Sequence, residues 1–277
     1  MRTGIVSFGA VLALALAAPL AHGTSIVSAP FNNTSVWTVA TGETALGSLS
    51  TQLLSYTFDG TTISSGGTTN STLMARYSGQ SGAEQNNVAV ASLGSAISGG
   101  SAPAQIWASF LFQYQDTQAN SPISQFGILW LDGSSSSVST GFGFELPATG
   151  GDPGVADDRL KGGGDSTGGS LLSGTTYFFV AELTNLGPGG NYRTLNVWLD
   201  PTGLGGTPTV TVTGQIAPSS LTEIGVEADI NSHDTLYFGA PSLSTTEQGL
   251  LTPEPSVFAL TGIGLLGLGL LRRRKAD

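Results

Sequence analysis

Apolar and polar side chains alternate through the middle of the chain. The run "AQIWASFLFQY" puts Ile106, Ala108, Phe110, Phe112 and Tyr114 on one face of an extended segment, and "QFGILWL" does the same with Phe126, Ile128 and Trp130. "SVSTGFGFEL" repeats the arrangement with Val138, Phe142, Phe144 and Leu146. Period two with aromatic and β-branched enrichment predicts half-buried antiparallel strands. Further on, "TTYFFVAEL" is nearly continuous in apolar residues, whereas "RTLNVWLDP" sets Leu195, Val197 and Leu199 against Asn196 and Asp200. With "SVWTVA", "LLSYTF", "TLMARY" and "NVAVASL" before them and "TVTVTG", "LTEIGVEAD" and "DTLYFGA" after, about a dozen strands are expected. No amphipathic stretch is long enough for a major helix. The expected fold is all-β, an antiparallel two-sheet jelly-roll sandwich over residues 24–252.

Composition sharpens this picture. Forty of 277 residues are glycine and 10% are charged, against a usual charged share of about 25%. The result is a turn-rich, weakly charged surface around a sizeable core. Residues 24–252 hold 17 acidic and 4 basic side chains, a balance of 4 − 17 = −13. Such a surface repels phosphate backbones, and nucleic acid is not an expected partner. The absence of cysteine removes disulfides, thiolate catalysis and cysteine-held zinc.

The two ends differ from the body. Arg2, an apolar run from Ile5 to Ala18, and then Ala21-His22-Gly23 with small residues at the −3 and −1 positions form the three-part layout of a secretory signal peptide, residues 1–23. Signal peptidase and the Sec export machinery are therefore expected partners, with cleavage after Gly23. At the other end an uncharged segment, 256–271, spans about 24 Å as a helix at about 1.5 Å per residue. That is at the short limit for a bilayer core of about 30 Å. Arg272, Arg273, Arg274 and Lys275 follow directly and hold this end on the cytoplasmic side, which leaves the acidic body on the other.

Pro253-Glu254-Pro255, the short Gly/Leu-rich apolar helix and the terminal basic cluster together resemble the PEP-CTERM sorting signal of Gram-negative bacteria, here residues 253–275. That resemblance implies export across the inner membrane, transient membrane insertion, and processing by an exosortase at or near the Pro-Glu-Pro motif. It also implies a cell-envelope, surface or extracellular destination in a bacterium that makes exopolysaccharide. The prolines suit such a motif physically, because they keep the backbone extended and outside the helix. In the body, "IWASFLFQY", "GTTYFFVAEL" leading into "LNVWLDP", and "DTLYFGAPSLST" resemble the order of strand motifs in concanavalin A-like, LamG-type jelly rolls.

Candidate chemistry is sparse. His233 is the one histidine left after signal removal, and its neighbour Asp234 is in sequence contact, a poor geometry for a Ser-His-Asp triad. Glu227-Ala228-Asp229 resembles the Glu-x-Asp start of the catalytic strand in jelly-roll glucanases, but Asn231 and Ser232 stand where the second glutamate would be. No catalytic residue is assigned, and the protein is expected not to be an enzyme; a glycan hydrolase or lyase is the competing reading. Asp229, Asn231 and Asp234 offer oxygen ligands of the type calcium takes, against the alternative of a solvated strand-to-turn junction; no other cofactor is expected. Asp152, Asp157, Asp158 and Asp165 lie in one long Gly-rich loop with Arg159 and Lys161 to balance them. Trp198 shares its strand face with Asn196 and Asp200, so it either stacks on a sugar ring from outside or packs into the core.

Overall fold

The computed structural model describes residues 25–39, 47–76, 84–98, 102–116, 125–132, 141–146, 154–156, 166–167, 172–203, 205–213, 220–230 and 234–251. Within them the chain forms two antiparallel sheets and a separate hairpin. The first five strands are β1 (Ser25–Ser28), β2 (Trp37–Val39), β3 (Gly47–Ser50), β4 (Leu54–Phe58) and β5 (Thr61–Ser65). β6 (Thr72–Arg76), β7 (Glu84–Ser98), β8 (Ile106–Asp116), β9 (Gln125–Asp132), β10 (Gly141–Leu146), β11 (Gly154–Ala156) and β12 (Ser166–Thr167) follow. The set closes with β13 (Tyr177–Thr184), β14 (Thr194–Leu199), β15 (Val210–Thr213), β16 (Ser220–Ile230), β17 (Asp234–Ser244) and the short helix α1 (Gln248–Leu251).

One sheet, the first, runs β15-β14-β13-β8-β17-β6-β3, with β1 added along the far half of β17. The second runs β12-β11-β10-β9-β16-β7-β2. A single core takes side chains from both, as the alternation predicts. Ile106, Ala108, Phe110, Phe112 and Tyr114 of β8 all enter it, and from the facing sheet come Leu129, Ile224, Val226, Ala228 and Ile230. Aromatic pairs give the centre its geometry: Phe110 stacks on Phe179 at 5.1 Å, and Phe112 meets Phe238 edge to face at 5.3 Å. Each such pair adds about 0.5–1.5 kcal/mol to the burial of its rings.

The first sheet is apolar on its outer side as well. Trp107 and Leu111 of β8, Phe178 and Val180 of β13, and Trp198 of β14 join Leu54, Phe58 and Leu250 in a second, smaller core. The β4–β5 hairpin and α1 provide its cover. This explains why "YFFVAEL" reads as a continuous apolar run: β13 is buried on both faces, like the strands of covered sheets. The hairpin turns through Asp59-Gly60, both with positive φ (45° and 71°), between paired Phe58 and Thr61. Two positive φ values in a two-residue loop match the strand twist and favour Asp-Gly. Gln113 locks the layer in place, accepting from Gln52 Nε2 at 3.0 Å and donating to the Gly174 carbonyl at 2.9 Å.

The sandwich expected from the sequence is therefore present, with a third, hairpin layer that the alternation did not announce. Residues 1–23 and 253–275, which carry the signal-peptide and sorting-signal expectations, lie outside the described residues. Among the described residues no helix is long and apolar enough to cross a membrane.

Candidate functional site

Where β17 passes under the hairpin, its regularity breaks. Gly239 pairs with Leu111 and Ser242 with Ser109, so three steps on β17 face two on β8 and one residue bulges out. Pro241 has no amide hydrogen to give the ladder, which is why proline inside a sheet sits at such bulges. Ala240 before it is held at φ 45°, a region costly for a residue with a Cβ. Gly239 is needed for close approach: a Cβ there would come within 2.6 Å of Ser65 Cβ on β5.

The bulge forms the floor of a cleft of about 560 Å³ between β5, β17, the end of β1 and α1. Eight of its fifteen lining residues carry hydroxyls, among them Ser28, Thr62, Ser65, Ser71 and Ser242, and none is ionisable. Ile63, Pro241 and Leu250 supply apolar wall. Part of the hydroxyl set is tied into the protein: Ser65 Oγ donates to the Ser71 carbonyl at 2.8 Å, and Ser71 Oγ accepts from the Gly66 amide at 2.7 Å. Ser242 is different. It is only 4% exposed, and its Oγ has no hydrogen-bond partner among the described residues. A buried hydroxyl left unpaired costs about 1–3 kcal/mol.

The residues singled out from the sequence are dispersed. Ile224, Val226, Ala228 and Ile230 point into the main core, so Glu227 lies on the outer side of the second sheet, buried, its backbone paired with Asn87 and Ile128. Asp229 pairs with Gln85 and Phe126 in that sheet, while Asp234 opens β17 opposite Asp116 in the first sheet. Asn231 and His233 lie outside the described residues between them. No group of three or more histidines or carboxylates that could hold a metal ion occurs among the described residues. Also outside them are Ala21, Gly23, Asp152, Asp157, Asp158, Asp165, Pro253, Glu254, Pro255, Arg272, Arg273, Arg274 and Lys275.

Trp198 takes the strand face that its neighbours Asn196 and Asp200 predict, but that face is covered. The indole is 7% exposed, stacks on Trp107 at 5.8 Å and 22°, and donates Nε1–H to the Gly206 carbonyl at 3.1 Å. It packs neither into solvent nor between the sheets; it fills the small core under the hairpin. The possibility missing from the sequence reading was a third layer.

Around this small core two carboxyls have raised titrations. Burial raises the Asp200 carboxyl, although its Oδ1 accepts from the Phe178 amide at 2.7 Å, which pulls the other way. Burial, followed by repulsion from Asp59 and Glu182, raises Glu247. Glu182 in turn accepts from Asn196 Nδ2 at 2.9 Å. These carboxylates frame the outer face of the first sheet but do not line the cleft.

No protein-family model and no curated protein matches the chain. Among solved structures it is similar to the Trypanosoma cruzi calreticulin globular domain at 10% identity, with 91% of this chain and 100% of that one covered and a TM-score of 0.48. It is also similar to endo-β-1,4-glucuronan lyase from Trichoderma reesei at 12% identity, 80% and 96% coverage and a TM-score of 0.48. A third similarity is to the Emp47p carbohydrate recognition domain, at 11% identity, 81% and 97% coverage and a TM-score of 0.44. The architecture of this chain rests on its own strand register: an all-β fold of two packed antiparallel sheets.

Proposed function

We propose that this is an exported cell-surface or extracellular-matrix protein, a non-catalytic module on a concanavalin A-like jelly roll that associates with exopolysaccharide. The observation that carries the binding part is the cleft. It is concave, lined by hydroxyl side chains over a largely apolar wall, and of about 560 Å³, inside the range of roughly 300–1,000 Å³ for small-ligand sites, yet it has no carboxylate to act as acid, base or nucleophile. Hydroxyls can hold a sugar but cannot by themselves protonate a glycosidic oxygen at neutral pH.

Export supplies the setting. Signal peptidase cuts after Gly23 and exosortase acts at Pro253-Glu254-Pro255, with residues 272–275 as the brake on export. Cuts at those two positions would leave every described strand, from β1 (Ser25–Ser28) to β17 (Asp234–Ser244), in the mature protein. A glycan microarray probed with the exported protein, with and without calcium, tests the binding part. Saturable binding without release of new reducing ends is expected, and an array with no positive glycan in either condition removes it.

One feature favours the competing reading of a glycan hydrolase: burial, and then the charges of Asp59 and Glu182, raise the Glu247 titration, the direction a general acid needs. New reducing ends that disappear in Glu247→Gln would establish it.

A further inference from the structure

We infer that the cleft under the hairpin is a subsite for one uncharged sugar residue, anchored on Ser242 Oγ, and that it rejects the corresponding uronate. This rests on the proposed glycan association and adds the class of glycan and the residue that reads it.

Three observations converge on it. First, native structures leave few buried polar atoms unpaired, and Ser242, a residue of the cleft floor beside the bulge at Ala240-Pro241, has its Oγ buried and unpaired. A ligand hydroxyl entering the cleft would supply the missing partner once the Ser242 side chain turns toward it about χ1. Second, a serine hydroxyl both donates and accepts, as each hydroxyl of a sugar does, and the lining combines many such groups with the aliphatic surface of Ile63, Pro241 and Leu250. That mixture complements a pyranose, polar around its rim and apolar across its C–H faces. Third, no ionisable side chain lines the cleft, and the body carries a balance of −13. A carboxylate carried into it would lose its water and find no cation, a penalty a neutral ring escapes.

The test is an amide-shift titration of the isotope-labelled exported protein with methyl glycosides of glucose, galactose and mannose, and with methyl glucuronide and methyl galacturonide as charged twins. At least one neutral glycoside is expected to shift the amides of Ser28, Ile63 and Ser242 saturably, with the uronides at least tenfold weaker. Ser242→Ala should weaken the neutral glycoside about tenfold, roughly one hydrogen bond. Its melting temperature should not fall, because the hydroxyl it removes is unpaired; Thr62→Ala, on the exposed wall, serves as a second variant that leaves the floor intact. Shifts confined to the outer side of the second sheet, at Ser92 and Glu223, would overturn this subsite while leaving glycan association standing. Equal binding of uronides would overturn the charge selection, and unchanged binding by Ser242→Ala would overturn the anchor. No shift with any glycoside would overturn both the subsite and the reading it rests on.

Discussion

Replacing Phe58 by alanine tests the hairpin layer, on which the cleft depends. Phe58 ends β4, is completely buried, and meets Phe178 of the first sheet at 5.4 Å with the rings tilted by 57°. Phe178 is also stacked by Tyr56 at 5.4 Å, so the hairpin grips one aromatic ring from two sides. Deleting a fully buried phenylalanine costs about 3–5 kcal/mol in transfer and cavity terms. For a domain of this size each kcal/mol moves the midpoint by about 2–4 °C, so a fall of roughly 6–20 °C is expected. Urea unfolding should show the same loss with an unchanged slope, because the sheets still unfold together. A double-mutant cycle with Phe178→Ala should return a coupling of about 0.5–1.5 kcal/mol for the ring pair. A loss below about 1 kcal/mol, outside that buried-phenylalanine range, would mean that the hairpin does not cover the sheet and that the cleft is not a fixed feature.

Gly66, directly after β5, has φ 92°, and a Cβ there would overlap the Gln52 carbonyl; Gly66→Ala should cost at least about 2 kcal/mol by chemical denaturation, and a neutral effect would contradict the placement of β5. Asp200 and Glu247 have folded titrations raised by burial, so the folded protein holds more protons than the unfolded chain between the ordinary carboxylate value and the raised one. Their penalty is present at neutral pH and is relieved as pH falls through that window. Asp200→Asn keeps an acceptor for the Phe178 amide and tolerates φ 48°, so its melting temperature should exceed that of the parent at pH 7 and converge with it near the ordinary carboxylate range; a lower value at pH 7 would refute the sign. In a native host, intact mass of the surface protein should lack residues 272–277, and finding them there would refute processing at the Pro-Glu-Pro motif.

Much of the sandwich was legible because two-sided strands write their environment into alternate residues. β8 and β14 show it directly: Ile106 to Tyr114 and Leu195 to Leu199 take the core side that their spacing predicts. The layer over the first sheet was harder to read. What covers Trp198 includes Leu54 and Phe58, far away in sequence, and no local pattern around Trp198 records them. The Asp59-Gly60 pair was a usable hairpin signal, but one that a search for alternation passes over. The cleft was hidden for a different reason. "TTISSGGTTNST" reads as a polar connection, because hydroxyl side chains suit loops and strands alike, and a proline at 241 suggests a strand's end although β17 continues past it to Ser244. An unpaired hydroxyl becomes visible only when its surroundings are known.

Binding without turnover is the central claim, and mass spectrometry of a bound glycan tests it most directly. The exported protein would be saturated with an array-positive neutral oligosaccharide, held at neutral pH, and the ligand released and weighed. Recovery of the intact oligosaccharide, retained by the parent and lost by Ser242→Ala, is the predicted result. Shortened products, whether with new reducing ends or unsaturated termini, would contradict it and show that the sandwich carries a hydrolase or lyase.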